Sequence, residues 1–139
     1  MYAGSFIRKR QIVLDQELER LPKELARILV HEVFHFAWVR LGNPARRSYE
    51  ALVLEELKQR ARGELGWSAE SRKRALAPNT RRASRGLHWR DYLCESFCDT
   101  AAWLYSGVRS HPEYTLAERH RNRRAEWFRA EFQERAIPI

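Results

Sequence analysis

Residues 31–35 read His31-Glu32-Val33-Phe34-His35. On a helix, positions i and i+4 stand one above the other on one face, so both imidazoles can reach a single cation. Glu32 lies on the flank of that face, where a carboxylate can take a proton from a water held by the metal. These residue types at this spacing point to a bound metal ion and to metal-assisted hydrolysis. Random placement of the same residues gives the pattern about 0.02 times per chain of this composition.

The surrounding sequence supplies the helix. Pro22 suits a first helical turn, the pattern from Leu25 to Leu41 is helical and apolar, and Gly42-Asn43-Pro44 is a stop signal. The helix expected over 22–41 is apolar on nearly every side, which predicts a buried central element. His31, Glu32 and His35 inside it then require partners or a metal, because buried polar groups cost free energy when left unpaired.

Catalytic zinc usually has three protein ligands and one open position. The foremost third ligand is Glu95. Asp99, one of only three Asp in the chain, follows it by four residues on the same expected helix face. Glu95 would bind the metal, and Asp99 would accept the free ring N–H of a ligating histidine and fix its tautomer. His88, in Gly86-Leu87-His88-Trp89, competes for the third position. Cys94 and Cys98 stand four apart on one expected helix, too rigidly for an easy disulfide, and read as buried reduced thiols. They lack the usual spacing of a zinc-binding cysteine pair. A tetrahedral intermediate also needs a donor for its oxyanion. His111, in the loop before Pro112, ranks first for this catalytic role; Tyr105, Tyr114, Arg109 and His120 stay open.

The elements that must position these groups follow from periodicity. A strand is expected at about 10–14, paired with 5–8, and helices at about 22–41, 48–62, 67–77, 89–106 and 115–135. This makes one domain over 1–139, α+β but mostly α. It has a short N-terminal strand or hairpin and about five helices, two of which carry the site. The stretch Arg119 to Arg124 reads as a solvated helix face.

The formal charge is +8 and the pI about 10.1, which suits an acidic partner without requiring one and leaves nucleic acid open. Residues 72–90 contain seven Arg or Lys and no Asp or Glu. The second half of that segment reads as a mobile basic loop, either merely solvated or a docking site for an acidic peptide or a phosphate backbone. No run of 18 apolar residues is present, so no membrane span is expected, and the first ten residues lack a signal-like apolar core. A cytoplasmic location is the expectation.

Glu95-x-x-x-Asp99, continued by Ala102 and preceded by H-E-x-x-H, resembles the gluzincin metallopeptidases. It is similar in particular to the ImmA/IrrE-type and CAAX-prenyl-protease-type enzymes. The resemblance covers the two site helices, about a third of the chain. It implies a minimal zincin-like domain in which His31, His35 and Glu95 hold Zn2+, Glu32 is the general base and Asp99 bonds His31. A peptide or protein substrate would lie against the N-terminal strand by β-addition. The 59 residues between His35 and Glu95 leave the subfamily open. Two alternatives remain. One is a SprT-like protease with His88 as third ligand, acting on DNA-bound protein. The other is a non-catalytic zinc module docking an acidic or nucleic-acid partner.

Overall fold

The computed structural model describes residues 3–76, 86–133 and 136–139. Its architecture is α+β and mostly helical. Strands β1 (Ala3–Phe6) and β2 (Gln11–Leu14) form an antiparallel hairpin, and a 3-10 turn (Gln16–Arg20) leads to α1 (Pro22–Arg40). Helices α2 (Asn43–Lys58), α3 (Trp67–Arg74), α4 (Leu87–Tyr105) and α5 (Glu118–Phe132) follow. The first strand lies two residues earlier than its sequence pattern suggests.

Pairing of Ala3 with Leu14 and Ser5 with Ile12 puts these four side chains on one face of the hairpin. That face meets α1, where the Ser5 hydroxyl reaches Glu32. The opposite face leaves Phe6 and Val13 exposed.

The stop after α1 doubles as the start of α2. Gly42 takes the corner at φ +91°, and Pro44 sits in the first turn of α2, where a missing N–H costs nothing. Helix α2 therefore begins five residues before the expected 48.

The core forms where α1, α2, α4 and α5 meet around Phe97. Its ring centroid lies 5.0 Å from those of Trp38 and Phe128, 5.6 Å from Tyr49 and 5.9 Å from Phe34. Such offset and edge-to-face contacts among buried rings lock the angle between helices. Helix α1 is buried in its middle on both faces, with Glu32 and Phe36 as well as His31, Phe34 and Ala37 shielded, but Leu29 and Val39 remain 41% and 50% exposed. The expectation of a buried central helix therefore holds for the middle of α1 and not along its whole length.

Arg124 corrects a second expectation. It is fully buried rather than solvated. Its guanidinium grips Glu56 through Nε and Nη2 at 2.8 and 2.7 Å and Glu64 through Nη1 and Nη2 at 2.9 and 3.0 Å. Tyr92 also donates to Glu64. His120 and Arg124, one turn apart, form the inward stripe of α5, while Arg119 and Arg123 face solvent. The basic segment 72–90 is partly helical, with Arg72 to Arg74 closing α3; its centre, 77–85, lies outside the described residues. Among the described residues no helix is long and apolar enough to cross a membrane.

Candidate metal centre

Helix α1 presents His31 and His35 to α4, which answers with Glu95 and Asp99, while Glu32 meets Ser5 of β1. The two imidazoles meet at an interplanar angle of 69°, with their Nε2 atoms 3.2 Å apart. Glu95 Oε2 lies 2.9 Å from Nε2 of His31 and 3.7 Å from Nε2 of His35. Donors about 2.05 Å from a tetrahedral zinc stand ~3.3 Å from one another, and these three edges bracket that value. Glu95 Oε2 is buried and has no hydrogen-bond partner despite its closeness to His31. The three donor atoms form a triangle with edges of 2.9, 3.2 and 3.7 Å about one point. A cation at that point satisfies all of them, so the donor set fits zinc.

The second nitrogen of each ring is also held. Asp99 Oδ1 accepts from Nδ1 of His31 at 2.7 Å, and its Oδ2 accepts the buried backbone N–H of Ala69 at 2.9 Å. Gly66 lets α3 approach closely, because a Cβ there would overlap the Asp99 carboxyl group. On His35, Nδ1 lies 3.4 Å from the sulfur of Cys94. Cys98 Sγ is within 4.8 Å of donor nitrogens of both histidines. The imidazole and carboxylate atoms stand at zinc spacing, so Glu95 fits a third position and Cys98 offers another. Both cysteines are reduced, as expected.

The charges explain the titration. Burial opposes protonation of His31, but Asp99 and Glu95 outweigh it and raise the pKa to about 9. Burial likewise opposes protonation of His35, while Cys94 and Glu95 raise it to about 10. Glu95 resists burial because both imidazoles lower its pKa far below the ordinary carboxylate range. A cation bound here would displace protons from this cluster.

A cleft of about 340 Å³ opens beside His31. Glu32, Asp99 and Ala3 line it at the metal end, and Glu24, Arg27 and Glu113 line it further along α1. Ser5 Oγ lies 2.5 Å from Glu32 Oε2, which leaves Oε1 of this largely buried carboxylate for other work. His111 stands behind the wall. Its Nδ1 accepts the N–H of Glu113 at 3.1 Å, and its Nε2 lies 2.5 Å from Glu24 Oε1 and 2.8 Å from Arg27 Nη1. Glu24, His111 and Glu113 could themselves hold a cation, but the Arg27 guanidinium already lies among them.

Among the other candidates, Tyr114 gives its hydroxyl to Val108 O and packs on Arg27. Tyr105 stacks on Phe34, Arg109 is exposed, and His120 is buried in α5. His88 is exposed in the first turn of α4, two turns before Glu95.

Sequence reasoning missed Ser5 and Arg27 and left Cys94 as inert packing. Arg27 carried a signal: at i−4 from His31 it shares the face of the metal ligands. Ser5 carried none, because its partner is 27 residues away across a hairpin.

No family model matches this chain, and neither curated proteins nor solved structures give a match.

Proposed function

We propose that this protein is a zinc-dependent metallopeptidase of gluzincin type. The observation that carries the reading is the convergence of His31 Nε2, His35 Nε2 and Glu95 Oε2, with Glu32 on the wall of the adjoining cleft. His31, His35 and Glu95 hold the metal, and Asp99 keeps the His31 ring in register. When bound, zinc polarises a scissile carbonyl and acidifies a water.

The chain's own groups do the rest. Glu32, its Oε2 held by Ser5, uses Oε1 to take the proton of the attacking water and deliver it to the leaving amine. Arg27 lines the same cleft one turn from His31 and supplies N–H donors to the developing oxyanion. His111 acts behind it, holding Glu24 in place. An open cleft of this size takes a short extended segment of a peptide or flexible protein.

The test is zinc content and peptide hydrolysis of wild type, Glu32→Gln and Glu95→Ala. The reading expects zinc without hydrolysis for Glu32→Gln and lost zinc for Glu95→Ala. Unchanged hydrolysis in Glu32→Gln refutes it. The nearness of Cys98 favours one other reading, a closed non-catalytic site in which that thiolate takes the fourth position. Tight zinc binding by a wild type that cleaves no peptide supports that alternative.

A further inference from the structure

The two histidines are supported differently, and the difference has a consequence for the metal. His31 has a carboxylate on Nδ1; His35 has a sulfur. Both supports come from α4, at positions 94 and 99, with the third ligand at 95 between them. With a metal on Nε2 of His35 the ring proton must reside on Nδ1, and Cys94 Sγ at 3.4 Å is placed to accept it. A distance of 3.4 Å is ordinary for a hydrogen bond to sulfur, which is larger and softer than oxygen. No other partner of His35 Nδ1 is recorded among the described residues.

We propose that Cys94 is a positioning residue of the metal centre: it accepts the Nδ1 proton of His35 and fixes Nε2 on the metal point, as Asp99 does for His31. The assignment rests on His35 being a zinc ligand, not on the peptidase reading. It gives this cysteine a task that simple core packing does not. Cys94 is only half-buried, whereas Cys98, one turn on, is sealed in the core. The neighbouring thiol supports the arrangement, since Cys98 hydrogen-bonds to the Cys94 sulfur.

Outer partners of metal-bound histidines are worth about 10- to 100-fold in affinity. The experiment measures zinc affinity by chelator competition in the full chain, for wild type, Cys94→Ala and Cys94→Ser, with melting curves to verify folding. Cys94→Ala is expected to bind zinc about 10- to 100-fold more weakly. Cys94→Ser is expected to recover most of the loss, because a hydroxyl oxygen also accepts Nδ1–H. The cobalt(II)-substituted protein separates support from ligation: a positioning sulfur contributes no thiolate-to-metal charge-transfer band.

Folded Cys94→Ala that binds zinc as tightly as wild type overturns the proposal. A cobalt charge-transfer band that vanishes in Cys94→Ser also overturns it, by making Cys94 a ligand. Wild type that binds no zinc at all overturns the metal centre and this assignment with it. Wild type that binds zinc without cleaving peptide leaves the assignment standing and removes only the peptidase reading.

Discussion

Asp99→Asn is the most informative substitution, because it keeps the size of the side chain and removes one acceptor. Asp99 receives two donors, Nδ1–H of His31 at 2.7 Å and N–H of Ala69 at 2.9 Å, one on each oxygen. An amide has one acceptor oxygen and one NH2. Whichever way it is turned, an N–H meets an N–H. If the oxygen stays with His31, the buried Ala69 amide is stranded, at about 1–3 kcal/mol. In a domain of this size that lowers the melting temperature by about 3–15 °C. If the oxygen stays with Ala69, the His31 ring loses its tautomer control. Zinc affinity then falls about 10- to 100-fold, or roughly 1.4–2.7 kcal/mol. The assay pairs thermal melts of chelator-treated protein with zinc affinity from chelator competition. Asp99→Asn must fail in at least one readout, and Asp99→Ala in both. A variant that keeps the wild-type melting temperature and zinc affinity together refutes the two-donor account of this carboxylate.

Gly66→Ala should weaken zinc in the same way from outside the site. The added methyl overlaps the Asp99 carboxyl group and pushes it off His31, although the backbone of Gly66 is extended and unstrained; unchanged zinc affinity would count against this. In chelator-treated protein, His31 and His35 titrate at about 9 and about 10, above the ordinary 6.5. Their contribution to stability is therefore complete below pH ~6.5 and lost as pH rises through 9 to 10, which melts recorded from pH 6 to 10.5 will read. Two imidazolium Nε2 atoms 3.2 Å apart repel, so zinc displaces between one and two protons. Its affinity should climb about 10- to 100-fold per pH unit between 6.5 and 9, and a flat profile excludes the exchange. Arg124→Met strands Glu56 and leaves Glu64 with Tyr92 and the more distant Lys73, and should cost about 3–5 kcal/mol in denaturant unfolding. Arg27→Gln should keep zinc and lower kcat by about 10²–10³-fold, with His111→Ala losing less. Equal losses in the two variants would move the oxyanion role back to His111.

What could be read from the chain and what could not divide along the range of the interaction. The helices of α1 and α4 and the pairing of Glu95 with Asp99 depend on spacings of three and four residues, which a sequence displays openly. Helical phase also puts Asp99 on the face of Glu95, within reach of a histidine, but that this histidine is His31 followed only from the resemblance to gluzincins. The hydroxyl of Ser5 on Glu32 and the two carboxylates on Arg124 are unions of distant segments, and their residue types look like ordinary surface when read locally. Arg124 misled most, since five neighbouring residues are polar and only its phase on α5 turns it inward.

The long span between His35 and Glu95 has a physical role in this light. Its 59 residues build α2, which carries Tyr49 and Glu56 into the core, and then α3, whose first turn delivers the Ala69 amide to Asp99. A short connection could bring α4 back to α1, but it would leave the second oxygen of Asp99 free to turn. With Ala69 and His31 on opposite oxygens, the carboxylate has one orientation and the His31 ring has one tautomer. The long connection thus completes the support of the His31 ring.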